Sequence, residues 1–330
     1  MYANIEKSYS KDRHVLGKEI PLSTPYTILI DISDVCNLKC GYCFRSDESI
    51  IAEDYRHNRL MEWDTFTRVV DQMCEFPEQI KRIALSHNGE PLCNRLLPKM
   101  IRYIKNKGLI GRTDIHTNGL LLTQEYIDEI CEAGLDRMVI SLQGLNEESY
   151  FKTCGVAVNF EQFYDNIKCL YAKKKQTQIH IKVVSEAISD ESVFYEMFSP
   201  YADRVFVEHV VPLWNGKAQE IDGVEENKYG DFYSVQKCCP LIFYTINVLP
   251  NGTIYPCSHI RPPFKLKNVH ESSLLEEWNS EKRKQFLKKM LTEDRFFCES
   301  CKDCYIPQNT VMTENDSVDL FAEEILQRLT

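Results

Sequence analysis

Through the first two thirds of the chain, short runs rich in β-branched and apolar residues alternate with longer stretches in which apolar positions recur at helical spacing. The runs predict strands over residues 27–32, 82–86, 113–117, 138–142, 179–184 and 205–210. Between them the pattern predicts helices over 63–75, 97–107, 124–133, 160–174 and 191–198. Six strand–helix units in this order imply an α/β fold, a partial (β/α)6 TIM-like barrel with its chemistry at the carboxyl ends of the parallel strands.

From about residue 220 the rhythm changes. An apolar run over 242–248 and a shorter one over 253–255 flank Asn251-Gly252, which supplies the positive φ angles of a tight turn, so this part reads as a β-hairpin. A helix is expected over 273–291, followed by Cys298-Glu-Ser-Cys301-Lys-Asp-Cys304, too dense in cysteine for core packing. The expected organisation is an amino-terminal extension (1–25), the barrel (26–219), a small α+β domain (220–310) and a helical tail (311–330).

Composition narrows the function. With 330 residues and 43% hydrophobic content, the chain can bury a large core, and no run of about 18 apolar residues marks a membrane span. The start of the chain lacks a signal-peptide pattern, so a cytoplasmic protein is expected, and its fourteen cysteines then read as reduced thiols and metal ligands. A formal charge of −10 argues against a nucleic-acid partner.

The most informative segment follows the first strand. Cys36, Cys40 and Cys43 lie within eight residues, in Cys-x3-Cys-x2-Cys spacing. Thiolates bind iron–sulfur clusters and soft metals, and three of them leave one iron of a cubane open to a ligand that is not protein. A zinc knuckle completed by Asp34 or His57 is the alternative.

With Tyr42 before the last cysteine, this loop resembles the signature of the radical S-adenosylmethionine (SAM) superfamily. The resemblance implies a four-iron, four-sulfur cluster that binds SAM and, given an electron from a flavodoxin- or ferredoxin-type donor, cleaves it to a 5′-deoxyadenosyl radical that abstracts hydrogen from substrate. It also implies SAM contacts at the next strand ends. Asn88-Gly89-Glu90-Pro91 is similar to the family's Gly-Gly-Glu-Pro motif, with Asn88 in place of the first glycine; Thr117-Asn118-Gly119 is similar to a segment beside SAM, and Ser141 is a candidate for the ribose. Lys182 is placed neither in the cavity nor in solvent by its sequence context.

Cys239, Gly252 and Cys257 are spaced as in the SPASM and shorter Twitch extensions of that family, which bind auxiliary iron–sulfur clusters. The chain has fewer cysteines than the full seven-cysteine pattern, so one auxiliary four-iron cluster is expected, with Cys239, Cys257, Cys301 and Cys304 as leading ligands. Cys298 competes for a place, and Cys238 is weaker. A zinc ribbon from the same cysteines is the alternative.

The resemblance implies a radical enzyme, and two catalytic candidates follow: Cys154, as a thiol returning a hydrogen atom near the barrel mouth, and His209, as a base for a substrate hydroxyl. Trp214 and Asn215 are further candidates to contact substrate. Only 35 residues precede Cys36, too few for a leader-peptide-binding domain, so the expected substrate is a small hydroxylated metabolite such as a sugar or aminocyclitol, oxidised with the auxiliary cluster as electron acceptor. The alternatives are crosslinking or epimerisation of a precursor peptide, epimerisation of a sugar, and a metal-binding scaffold without catalysis.

Overall fold

The computed structural model describes residues 2–7, 9, 13–47, 59–211, 226–231 and 235–329. Among them one sheet contains β1 (Asn4–Ile5), β2 (Thr27–Ile30), β3 (Arg82–Ala84), β4 (Arg112–Thr117), β5 (Arg137–Leu142), β6 (Gln178–Val184), β7 (Arg204–Glu208), β8 (Thr245–Val248) and β9 (Ile254–Tyr255). Their spatial order is β1-β7-β6-β5-β4-β3-β2-β8-β9, and every pairing is parallel except β8 with β9. The two outermost strands do not pair with each other, so the barrel is partial.

The helices are α1 (Leu16–Glu19), α2 (Trp63–Met73), α3 (Leu97–Asn106), α4 (Gln124–Ala133), α5 (Glu147–Cys154), α6 (Phe160–Lys173), α7 (Glu191–Phe198), α8 (Leu241–Tyr244), α9 (Leu274–Trp278), α10 (Glu281–Thr292), α11 (Glu299–Lys302), α12 (Ile306–Thr310) and α13 (Ala322–Arg328). Strand side chains alternate between two faces. One set, including Ile28, Ile30, Ile83, Ile115, Ile140, Ile181 and Val205, packs against Phe66, Met100, Ile127, Ile167 and Phe194 of the helices. The other set faces the barrel interior and mixes Leu29, Ala84, Val139 and Phe206 with the polar Asp114, His116, Arg137, His180, Lys182 and Glu208. Near the start of the strands, fully buried Asp114 accepts two hydrogen bonds from Arg82 at 2.9 Å and one from Arg137 at 2.6 Å. Burial alone would raise this carboxyl, but the guanidiniums hold it well below the ordinary range.

Several boundaries differ from the sequence expectation. Residues 242–244 form most of α8 rather than the start of a strand, and the chain extends only from Thr245. β8 then adds to β2 in parallel, Thr27 opposite Thr245 and Ile30 opposite Val248, so the hairpin continues the barrel sheet instead of forming its own. The amino-terminal extension likewise joins the sheet, with Asn4 opposite Arg204. The helix expected over 273–291 is two helices, because Ser280 interrupts the first and caps α10 through its hydroxyl, which accepts from Arg283 N–H. α5 was not expected; Asn146 and Ser149 form a capping box at its start, and Gly155, with φ of 66°, ends it. No helix among the described residues is long and apolar enough to cross a membrane.

Candidate active site

Beyond β2 the chain enters the cysteine loop, which is anchored to the end of α5 by hydrogen bonds from Lys39 N–H to Cys154 O at 3.3 Å and from Gly41 N–H to Thr153 O at 3.1 Å. Cys36, Cys40 and Cys43 are all partly buried. Burial raises the Cys36 thiol to about 11 and raises Cys40 and Cys43 as well, and the neighbouring sulfurs add to the effect at Cys36 and Cys40. Three adjacent, partly buried thiols are a poor arrangement for thiolates alone; the iron of an iron–sulfur cluster would displace their protons and make the grouping favourable. Among the described residues no three His, Cys, Asp or Glu side chains close round a single ion. A cubane is wider than one ion, so its ligands do not have to meet at a point.

The following strand ends pack against this loop. A Cβ on Gly89 would lie 2.3 Å from Ser33 O and 2.7 Å from Val35 O, so only glycine allows this approach. Glu90 N–H donates to Val35 O at 2.7 Å. Asn88, which replaces the usual glycine, is clamped by fully buried Asp31: its N–H and side-chain amide donate to the two carboxylate oxygens at 2.9 and 2.7 Å. Asp31 is a partner that the sequence reading did not identify, and its strand-end position next to Ile30 was the available signal.

Glu90 is buried and accepts from Leu92 N–H at 3.1 Å, the Thr117 hydroxyl, and Asn118 N–H at 2.7 Å. Burial pushes its carboxyl up to about 7, although these donors act in the opposite direction. The Asn118 amide donates to Asn37 Oδ1 at 2.8 Å, tying the end of β4 back to the cysteine loop. Thus Glu90, Thr117 and Asn118 form one buried network beside the close approach at Gly89, while Tyr42, Cys43, Asn88 and Ser141 line an adjoining cavity of about 410 Å³. The Tyr42 hydroxyl donates to Gln143.

The cavity also contains residues that sequence reasoning missed: His87, His116, Glu208, Lys228, Ser258 and Ile306, and it settles Lys182 on its wall. His116 is open to the cavity yet enclosed by the barrel, and this enclosure lowers its imidazole well below the ordinary range. His209 is on the wall, with Nδ1 2.9 Å from Ser185 Oγ. Cys154 is not. It is fully buried behind the cysteine loop, its thiol donating to Tyr150 O at 2.9 Å, because α5 turns it into the core rather than toward the mouth. That placement does not support hydrogen return to a substrate in the cavity. Asp34 is buried and accepts from Arg59 N–H. His57, Trp214 and Asn215 lie outside the described residues.

At the carboxyl-terminal side, Cys239, Cys257, Cys301 and Cys304 line one small pocket with Arg295, His259 and Ile306. Burial raises the Cys239 thiol to about 11 and the Cys304 thiol to about 12. Cys298 is hydrogen-bonded to Cys301 at the edge of this group, an interaction that lowers Cys298 and raises Cys301. Cys238 turns away, its thiol directed at Met290 O at 3.2 Å. Arg295 holds the segment in place, donating to Gln236 O and Cys304 O at 2.8 Å each and to Cys301 O. Four clustered thiols, three of them buried and Cys301 partly so, beside one guanidinium fit an anionic iron–sulfur cluster.

Comparison with known proteins agrees with this architecture. The radical SAM superfamily matches residues 30–185, and the SPASM iron–sulfur cluster-binding domain matches residues 238–305. Residues 30–185 thus form a radical SAM domain and residues 238–305 a SPASM domain, which bring a four-iron cluster, SAM and auxiliary iron–sulfur binding.

A probable GTP 3′,8-cyclase of Methanococcus maripaludis is 37% identical over 123 residues, which are 37% of this chain and 38% of the relative. A GTP 3′,8-cyclase of Clostridium perfringens is 30% identical over 210 residues, 63% of this chain and 60% of the relative. The matched part thus spans less than two thirds of either cyclase.

Among solved structures, BtrN in complex with AdoMet and 2-DOIA has a TM-score of 0.55 at 18% identity, covering 84% of this chain and 92% of that one. Streptococcus suis SuiB bound to precursor peptide SuiA has 0.55 at 19%, covering 93% and 78%. Native anSMEcpe with bound AdoMet has 0.59 at 17%, covering 92% and 96%. At these identities the likeness concerns the fold.

Proposed function

We propose that this radical SAM enzyme is an oxidoreductase that dehydrogenates a small hydroxylated metabolite such as a sugar or aminocyclitol. In this reading Cys36, Cys40 and Cys43 hold the SAM-binding cluster, and Tyr42, Asn88, Gly89, Glu90, Thr117, Asn118 and Ser141 bind or position SAM. Cys239, Cys257, Cys301 and Cys304 hold one auxiliary cluster, and Cys298 supports them through Cys301. The observation that carries the proposal is a shared wall: Ile306 lines both the 410 Å³ cavity and the thiol pocket, and Ser258, next to Cys257, also faces the cavity. The volume is in the range of small-molecule sites.

When bound, SAM and its cluster supply a carbon-centred radical that takes a hydrogen atom, and the auxiliary cluster supplies a one-electron acceptor. The protein must then remove the hydroxyl proton and exclude water. With Nδ1–H donated to Ser185 Oγ, Nε2 of His209 is left to accept that proton. The substrate loses one hydrogen atom from carbon, one proton from oxygen and one electron, and gains a carbonyl. The wall formed by Leu142, Val183, Val210 and Ile260 is apolar and limits side reactions with water.

The test uses a polyol deuterated at the carbinol carbon, with anaerobic, cluster-loaded enzyme reduced by flavodoxin or ferredoxin. Deuterium in 5′-deoxyadenosine together with a carbonyl product is expected. Solvent hydrogen at an inverted carbon, or conversion of a precursor peptide alone, would refute dehydrogenation of a small metabolite.

A further inference from the structure

The polar wall of the cavity carries charges that neither the proposed SAM contacts nor the proposed base uses. Glu208, 5% exposed, accepts from Lys182 Nζ at 2.5 Å and from Lys228 Nζ at 2.8 Å. The ammoniums hold its carboxyl well below the ordinary range despite burial. One carboxylate between two ammoniums leaves one positive charge in excess. Among the described residues these three are the only Lys, Arg, Asp or Glu side chains lining the cavity, so the wall is cationic in a chain whose formal charge is −10.

The arrangement is also preorganised. An ammonium has three donors, so the contact with Glu208 leaves each lysine with donors to spare. Glu208 offsets the repulsion between the two cations and fixes their positions, so a ligand does not have to order two long side chains. The lysines come from separate elements: Lys182 is in β6, opposite Ser141 in register, whereas Lys228 belongs to the segment whose carbonyl accepts His209 N–H at 2.8 Å. The pair therefore reaches from the proposed SAM side of the cavity to the proposed base. A neutral polyol would leave the excess charge uncompensated; a phosphate or carboxylate would receive charge-assisted hydrogen bonds from it.

We infer that Lys182, Glu208 and Lys228 form the recognition site for an anionic group, phosphate or carboxylate, on the substrate. This deepens the proposed function and rests on that reading's small-molecule cavity. It narrows the substrate from hydroxylated metabolites in general to sugar phosphates, sugar acids or similarly charged polyols.

The test measures binding to the anaerobic, cluster-loaded protein with SAM present, using myo-inositol 1-phosphate, glucuronate and neutral myo-inositol as probes. At least one anionic probe should bind about tenfold or more tightly than myo-inositol. The phosphate and carboxylate arms separate the two sources of charge. Lys228→Met should remove about a tenfold advantage and Lys228→Arg should retain part of it. Lys182→Met should weaken anion binding in the same way by removing the excess positive charge, and it gives an independent reading if Lys228→Met does not fold. Equal affinity for myo-inositol and both anions would overturn the inference, as would anion affinity unchanged in Lys228→Met. Loss of SAM affinity in the Lys228 variants, measured alongside, would reassign the ammoniums to the carboxylate of SAM and overturn it too. Anion binding without deuterium transfer from any carbinol would instead refute the dehydrogenation reading and leave the recognition site standing.

Discussion

Replacing Glu90 by glutamine tests the proposed SAM site through a titration. In the folded protein burial raises this carboxyl from an ordinary 4.5 to about 7. Between those values the folded state holds a proton that the unfolded chain has released, so the contribution to stability is fully present below about pH 4.5 and is lost as pH rises through about 7. The gap corresponds to on the order of 3 kcal/mol. Glu90→Gln removes this titration, while leaving one of the N–H groups of Leu92 and Asn118 without its carboxylate acceptor at a constant cost of about 1–2 kcal/mol.

The melting temperature of wild type should therefore fall relative to the variant between pH 5 and pH 8, by about 5 °C. SAM binding should show the reverse trend. A carboxylate accepts from the amino group of SAM better than a carboxylic acid does, and each oxygen of Glu90 can accept more than one hydrogen bond. The ratio of wild-type to variant SAM affinity should rise through about pH 7 toward roughly tenfold or more. Taking the ratio cancels the titration of SAM itself. Parallel pH profiles for the two proteins, in melting or in affinity, would refute the assignment of Glu90.

Two other substitutions separate the metal centres. Cys36, Cys40 and Cys43 changed together to alanine should lower iron from about eight to about four per chain and abolish 5′-deoxyadenosine formation, measured by iron analysis and chromatography. Arg295→Met should leave the carbonyls of Gln236, Cys301 and Cys304 without their buried donor and remove the cation beside the thiol pocket, costing about 2–4 kcal/mol. Iron should fall toward about four per chain while SAM cleavage survives; retention of both clusters would show that Arg295 is dispensable.

The barrel was legible because most of its strands carry an apolar face, as in Ile179, Ile181 and Val183, and each run is separated from the next by a helical period. The cysteine loop was legible because its ligand candidates are close in sequence. The polar wall was not. Lys182, Glu208 and Lys228 are spread over three segments and meet only through parallel pairing of β6 with β7 and the return of residues 226–231 across the mouth. Local signals were also overlooked: the Asn146 cap and Gly155 stop of α5, and the Ser280 cap that divides α9 from α10. Cys154 shows the converse limit, since it was expected near the barrel mouth, whereas the unexpected helix buries it.

The parallel pairing of β8 with β2 has a consequence for biosynthesis. Ile28 and Ile30 make β2 an apolar strand, and one of its edges stays without a partner until residues 245–248 have been translated. An open apolar edge is a template for intermolecular strand addition, and parallel pairing across such a long separation forms slowly. A nascent chain stalled before residue 245 should therefore depend on chaperones to remain unaggregated. Completion of the hairpin closes that edge and brings Cys257 into place, so aggregation resistance is acquired before the second cluster can be held, because Cys301 and Cys304 are made only later.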